Sequence, residues 1–161
     1  MKSRSMKLSI LIFTASCLII AISGIVRLVF KRDMVTAMGG MNAVIDEDTF
    51  THQRKRMVKE QIAYRGVTDK GVLVALETVP RHLFIPEENR SYSYYDQPVP
   101  IGFGQTISQP YIVAFMTELL KLEKGDVVLE VGTGSGYQAA ILSKLIKQVY
   151  TIEIIEELGK E

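Results

Sequence analysis

The stretch VVLEVGTGSGYQAAILSKL, Val127 to Leu145, sets one carboxylate, Glu130, inside the end of an apolar run. Gly132, Thr133, Gly134 and Gly136 follow before a helical pattern resumes. Glycines between a strand and a helix let backbone approach a ligand closely, and the helix N-terminus offers unpaired N–H groups. Glu153 closes the next apolar run about 20 residues further on, the usual place of an acid that accepts two ribose hydroxyls. This much points to a nucleoside. A dinucleotide site normally has a further glycine where this chain has Tyr137, and Glu130 would repel a pyrophosphate. Glu130 favours a cation instead, and S-adenosyl-L-methionine carries an ammonium and a sulfonium. The plain alternative, a tight turn with two solvated glutamates, is disfavoured by the buried strand before the turn and the acids on both sides of it. No metal site is expected, because the chain has one cysteine, Cys17, and two histidines.

The elements that must position these residues are marked by periodicity. Met57, Val58, Ile62 and Ala63 have helical spacing between Phe50 and Tyr64, with Arg54, Lys55, Arg56, Lys59 and Glu60 as the expected solvated face. A second helix has Thr68 or Asp69 as N-cap, buries Val72, Leu73, Ala75 and Leu76, and stops at Pro80. Pro80 to Pro110 holds all five prolines and reads as a long loop with aromatic anchors. Pro110 opens a helix to Lys121 with an apolar stripe of Ile112, Val113, Phe115, Met116, Leu119 and Leu120. Val127–Val131 reads as a strand buried on both faces, residues 137–147 as a helix and residues 149–154 as the next strand. One β-α-β unit of this kind starts a parallel sheet, so the class is α/β and Rossmann-like.

Lys plus Arg (19) nearly balance Asp plus Glu (18), which argues against nucleic acid as a partner. The front of the chain differs from the rest. Leu8 to Val26 carries no charge and is long enough to cross a hydrocarbon core of about 30 Å, so residues 1–33 are expected to be an uncleaved signal anchor with a membrane helix over 8–26. Residues 34–48 then form a tether, 49–121 a helical and substrate-loop region, and 122–161 the start of the nucleoside-binding domain.

From Met57 to Glu161 the chain resembles the protein-L-isoaspartate (D-aspartate) O-methyltransferase family. The resemblance is carried by VPRHLFIP (Val79 to Pro86), PIGFGQTISQPYIVAFMTELL (Pro100 to Leu120) and VLEVGTGSGYQAAIL (Val128 to Leu142). It implies methyl transfer from S-adenosyl-L-methionine to the free carboxylate of L-isoaspartyl and D-aspartyl residues in damaged proteins, as protein repair. The family's active-site serine falls on Ser108, and Thr106 with the helix end at Pro110 completes a set of donors that can hold a carboxylate. Gln109 or Ser108 is read as the N-cap of the helix at Pro110, and for Ser108 that role is compatible with the first. His82, beside Leu83-Phe84, is expected to be structural rather than a base, and Tyr94, Tyr95 and Asp96 are left without a role.

The family's chain normally continues past the point where this one ends, so the domain is expected to be C-terminally truncated, with only the first β-α-β unit. That expectation includes exposure of Ile141, Leu142 and Leu145, and little or no activity of the chain alone. Cofactor supply places the catalytic region in the cytoplasm, tethered to the membrane, with an exported form left open. Two rivals stand beside this reading. One is an inactive fragment or interaction module, the other an NAD-type oxidoreductase.

Overall fold

A computed structural model describes residues 8–12, by their backbone, and residues 46–160. Leu8–Ile12 forms β1. Asp46 caps α1, Glu47–Arg56, by accepting from the Thr49 amide at 2.7 Å, and Glu47 and Asp48 in the first turn complement the helix dipole. The helix runs on through a widened π turn, Met57–Ile62, and a 3-10 turn, Ala63–Arg65, to Gly66 in the left-handed region. α2, Lys70–Thr78, is capped by Asp69, whose carboxylate accepts from the Val72 amide at 3.0 Å.

The span from Pro80 to Pro110 is more ordered than the expected loop. Two 3-10 turns, Arg81–Phe84 and Glu87–Tyr92, lead into the antiparallel hairpin β2, Val99–Gly102, and β3, Gln105–Ile107. Strands this short, with Pro100 inside one of them, leave no alternating pattern to read. α3, Pro110–Leu119, buries Val113, Ala114 and Thr117, whereas Ile112, Phe115 and Leu119 face solvent, so the expected stripe is narrower than its composition. β4, Val127–Val131, α4, Tyr137–Ser143, and β5, Gln148–Ile152, follow, α4 four residues shorter than expected and β5 ending one residue before Glu153.

The sheet order is β1-β4-β5, all parallel, with Leu8 opposite Val127 and Val127 opposite Gln148. β1 corrects the expected membrane helix over its first five residues. A short apolar run does not distinguish strand from helix by itself, and the free N–H and C=O groups along the edge of β4 give this one a ladder to complete. Residues 13–26 of the expected span lie outside the described residues, and no described helix is long and apolar enough to cross a membrane.

The main core joins Met57, Ile62, Leu76, Val113, Tyr137 and Ile141, and a smaller cluster of Val128, Leu142 and Ile146 lies under β4. Ile141 and Leu142 are therefore buried, contrary to the expected exposure, because α4 packs on α2 and against β5. Apolar side chains stay exposed on and after β5, at Tyr150, Ile152 and Ile154, as well as on α3.

A polar layer runs under the loop region. His82 stacks on Phe50 at 4.0 Å between ring centroids, shares a 2.8 Å hydrogen bond with the Tyr94 hydroxyl and lies 3.2 Å from the Glu47 carboxylate. Burial pushes its pKa down, which suits a packing role. Arg54 is buried rather than solvated: its Nε donates to the Glu77 carbonyl at 2.7 Å and its Nη1 to the Tyr94 hydroxyl at 3.2 Å. Substituting Arg54→Ala is expected to cost about 1–3 kcal/mol of stability by leaving those acceptors unpaired. Urea unfolding checks this, and a loss within the scatter of a surface lysine such as Lys55→Ala would return Arg54 to the solvated face.

Candidate active site

A cavity of about 590 Å³ opens between β3, the start of α3 and the C-terminal ends of β4 and β5. In a parallel sheet those ends are where ligands sit. Thr106, Ser108 and Val113 line one wall, Glu130 to Ser135 with Tyr137 and Gln138 the floor, and Ile152 to Ile155 the far side. The structure thus brings together Thr106, Ser108, Glu130, Gly132, Thr133, Gly134 and Glu153. Gly136 is the exception: it caps α4 at φ 78° and does not line the cavity.

Alternation along β4 puts Val128 and Glu130 on its buried face. The parallel register sets Glu130 beside Thr151, whose hydroxyl donates to Glu130 Oε2 at 2.7 Å and accepts from the Thr133 hydroxyl at 2.6 Å. The second carboxylate oxygen, Oε1, is buried without a hydrogen-bond partner among the described residues. Burial drives the Glu130 pKa up, the Thr151 hydroxyl lowers it, nearby Glu153 raises it, and the result is about 7.

The glycine turn is held by β5. The amides of Gly132 and Thr133 donate to the Ile152 carbonyl at 2.8 and 3.2 Å, and that of Gly134 to Glu153 Oε2 at 2.8 Å. Gly134 sits at φ 53°, where a Cβ would be strained. Glu153 Oε1 accepts from the amides of Ile154 and Ile155 at 2.8 and 3.0 Å. Partial burial raises the Glu153 pKa, the three N–H donors outweigh it, and the net shift is downward. The acid is therefore a brace for the turn: Oε1 accepts two amides, and Oε2, with one, keeps a lone pair for a further donor. The amides of Gly132, Thr133 and Gly134 are thus taken by the Ile152 carbonyl and Glu153, ahead of the helix.

Ser108 lies one residue before the N-cap of α3, which is Gln109, and no side chain caps that helix. The capping reading of Ser108 is thereby replaced. Its carbonyl accepts from Arg81 Nη2 at 2.7 Å. Arg81 is completely buried, donates from Nε to the Ser93 carbonyl at 2.8 Å, and places its Cζ 4.9 Å from the Tyr137 ring centroid. Burial lowers its pKa to about 10, still well above neutrality, so the guanidinium is charged. Composition gave no sign of this contact; its one sequence signal is Arg81's place in VPRHLFIP. Asp96 pairs with Arg65 at 2.5 Å and Tyr94 belongs to the polar layer, neither of them at the cavity.

The raised pKa of Glu130 has a stability consequence. Below about pH 4.5, its ordinary value, the carboxyl is protonated in the folded and unfolded chain alike. As pH rises from about 4.5 to about 7 the unfolded chain ionises while the folded one holds its proton, so the wild type loses stability across that window that Glu130→Gln does not lose. By about pH 7 the variant should have gained about 3 kcal/mol relative to the wild type, with no further gain above it. Urea unfolding across that range measures it, and parallel pH profiles for the two proteins would contradict a buried, raised carboxyl.

A family model for protein-L-isoaspartate(D-aspartate) O-methyltransferase matches residues 52–161. A protein-L-isoaspartate O-methyltransferase from Opitutus terrae is 55% identical over 111 residues, covering 69% of this chain and 48% of its own length. One from Desulfotalea psychrophila is 58% identical over 111 residues, covering 69% and 52%. A solved structure described as that of a putative protein-L-isoaspartate O-methyltransferase from Plasmodium falciparum, in complex with S-adenosyl-L-homocysteine, superposes with a TM-score of 0.55 at 29% identity, over 66% of this chain and 51% of that one. The chain spans about half the length of the curated relatives it matches. With the glycine turn, the buried acid and the hydroxyl wall on one cavity, and the family's pattern across most of its length, this chain belongs to the protein-L-isoaspartate (D-aspartate) O-methyltransferase family.

Proposed function

We propose that the cavity binds S-adenosyl-L-methionine and serves methyl transfer to the free carboxylate of L-isoaspartyl and D-aspartyl residues in damaged proteins. The observation that carries this is Glu130: a buried carboxylate with one oxygen unpartnered among the described residues, on the same cavity as Ser108 and Thr106. An acid so placed fits a cationic ligand and would repel a pyrophosphate. The family and the bound S-adenosyl-L-homocysteine of the Plasmodium relative support the same ligand class.

When bound, the cofactor supplies a sulfonium methyl, and transfer exchanges its C–S bond for a C–O bond to the acceptor. The acceptor carboxylate is ionised at neutral pH, so the chain has no proton to remove. Its task is alignment and partial exclusion of water. Glu130 attracts the cationic end of the ligand, Glu153 offers acceptors to ribose hydroxyls, and Gly132 to Gly134 let backbone lie close. Thr106 and Ser108 donate to the acceptor carboxylate from the opposite wall without the tight ion pair a lysine would form. Val113, Ile152, Ile154 and Ile155 make the apolar surround.

Calorimetry with S-adenosyl-L-homocysteine and NAD tests the ligand class: the former should bind and the latter not, and the reverse would favour an oxidoreductase. Glu153→Ala should weaken S-adenosyl-L-homocysteine by about 1.5–3 kcal/mol, with unchanged affinity removing the ribose assignment. Ser108→Ala should depress turnover of an isoaspartyl peptide far more than cofactor affinity. Equal losses in both would place Ser108 outside the acceptor site.

A further inference from the structure

The reading above uses the Ser108 hydroxyl and leaves unexplained why a charged side chain lies buried behind it. Arg81 is 0% exposed and does not line the cavity, so it cannot touch either reactant. What it touches is the frame of the site. Its Nε and Nη2 bond to the carbonyls of Ser93 and Ser108, and its guanidinium stands over the ring of Tyr137, the first residue of α4 after the glycine turn. Three segments meet on one planar group: the loop before β2, the hydroxyl-bearing stretch before α3, and the end of the cofactor turn.

We propose that Arg81 is a positioning residue for methyl transfer, fixing the backbone of Ser108 relative to the glycine turn so that its hydroxyl is held at the acceptor side of the cavity. The inference rests on the reading of Ser108 given above. Geometry favours a positioning role over simple packing. Desolvating a guanidinium is costly, and an apolar side chain of similar volume would stabilise the core as well or better. The two carbonyls it serves lie beyond the open end of the β2–β3 hairpin, past its last pair Val99–Ile107, where the backbone ladder no longer holds the two segments. A lysine could keep the charge but would lose the planar fork and the stacked face.

The test uses Arg81→Lys, Ser108→Ala and the double variant in this chain, with Tyr137→Leu as a second route should Arg81→Lys not fold. Arg81→Lys is expected to lower kcat on an isoaspartyl peptide by about tenfold or more, the scale of a modest misplacement, while S-adenosyl-L-homocysteine affinity stays within about twofold. In the Ser108→Ala background the same change should add little, because the two residues act as one unit. Tyr137→Leu should move kcat in the same direction. NMR gives a readout independent of turnover: Hα–Hβ couplings of Ser108 should report one rotamer in the wild type and averaging in Arg81→Lys. Unchanged kcat and couplings in Arg81→Lys, or an equal further loss of kcat in the Ser108→Ala background, would overturn the proposal. If the wild-type chain shows no turnover, as expected of it alone, the Ser108 couplings decide the role of Arg81.

Discussion

The parallel pairing of β4 with β5 is the constraint on which the site depends. With Val131 opposite Ile152, the chain leaves both strands at the same level, and the turn after one can bond to the bend after the other. The Ile152 carbonyl then takes two amides of the glycine turn and the Glu153 carboxylate a third. The same register places Thr151 beside Glu130 and so satisfies one oxygen of a buried acid, while the other has no hydrogen-bond partner among the described residues. A shift by one residue would send Glu130 and Thr151 to opposite faces.

That half-satisfied acid gives the cavity its chemical character. Burial without a partner charge favours the neutral carboxyl, and a cation brought next to Oε1 would favour the ionised one. Glu153, a short way off, is held in the opposite sense by three amides. Two glutamates on one cavity therefore differ in ionisation because Glu130 is buried with a single hydroxyl donor, whereas Glu153 is less buried and held by three amides. Their assigned tasks, attraction of charge and acceptance of hydroxyls, follow that difference.

The second wall depends on a different kind of order. Loop segments between Pro80 and Pro110 are tied by side chains: Arg54 and His82 meet at the Tyr94 hydroxyl, and Arg81 reaches the carbonyls of Ser93 and Ser108. The hairpin turns at Gly102, Phe103 and Gly104, all with positive φ, and presents Thr106 and Ser108 just before α3. Buried cations and a neutral histidine do here what backbone ladders do in the sheet.

Several features were determined by the sequence alone, because they depend on neighbours along the chain. The apolar run of β4, the glycines after it, the helix-forming stripe of α2 with its Asp69 cap, and Pro110 at the first position of α3 are local patterns, and each stands where its residues place it. The residues gathered at the cavity were likewise legible as candidates, since Glu130, Glu153 and the glycines flank a recognisable strand-turn-helix, and the motif around Ser108 carried the family resemblance. Tertiary structure decided what depends on partners distant in the chain. Leu8–Ile12 became a strand because β4 had an open edge, and Arg54 turned inward because Tyr94 and the Glu77 carbonyl were waiting there. Arg81 came to lie behind Ser108, 27 residues away in the chain, and Glu130 kept one oxygen without a donor among the described residues. Such outcomes are set by which groups burial brings within hydrogen-bond reach, and no spacing along the chain records that.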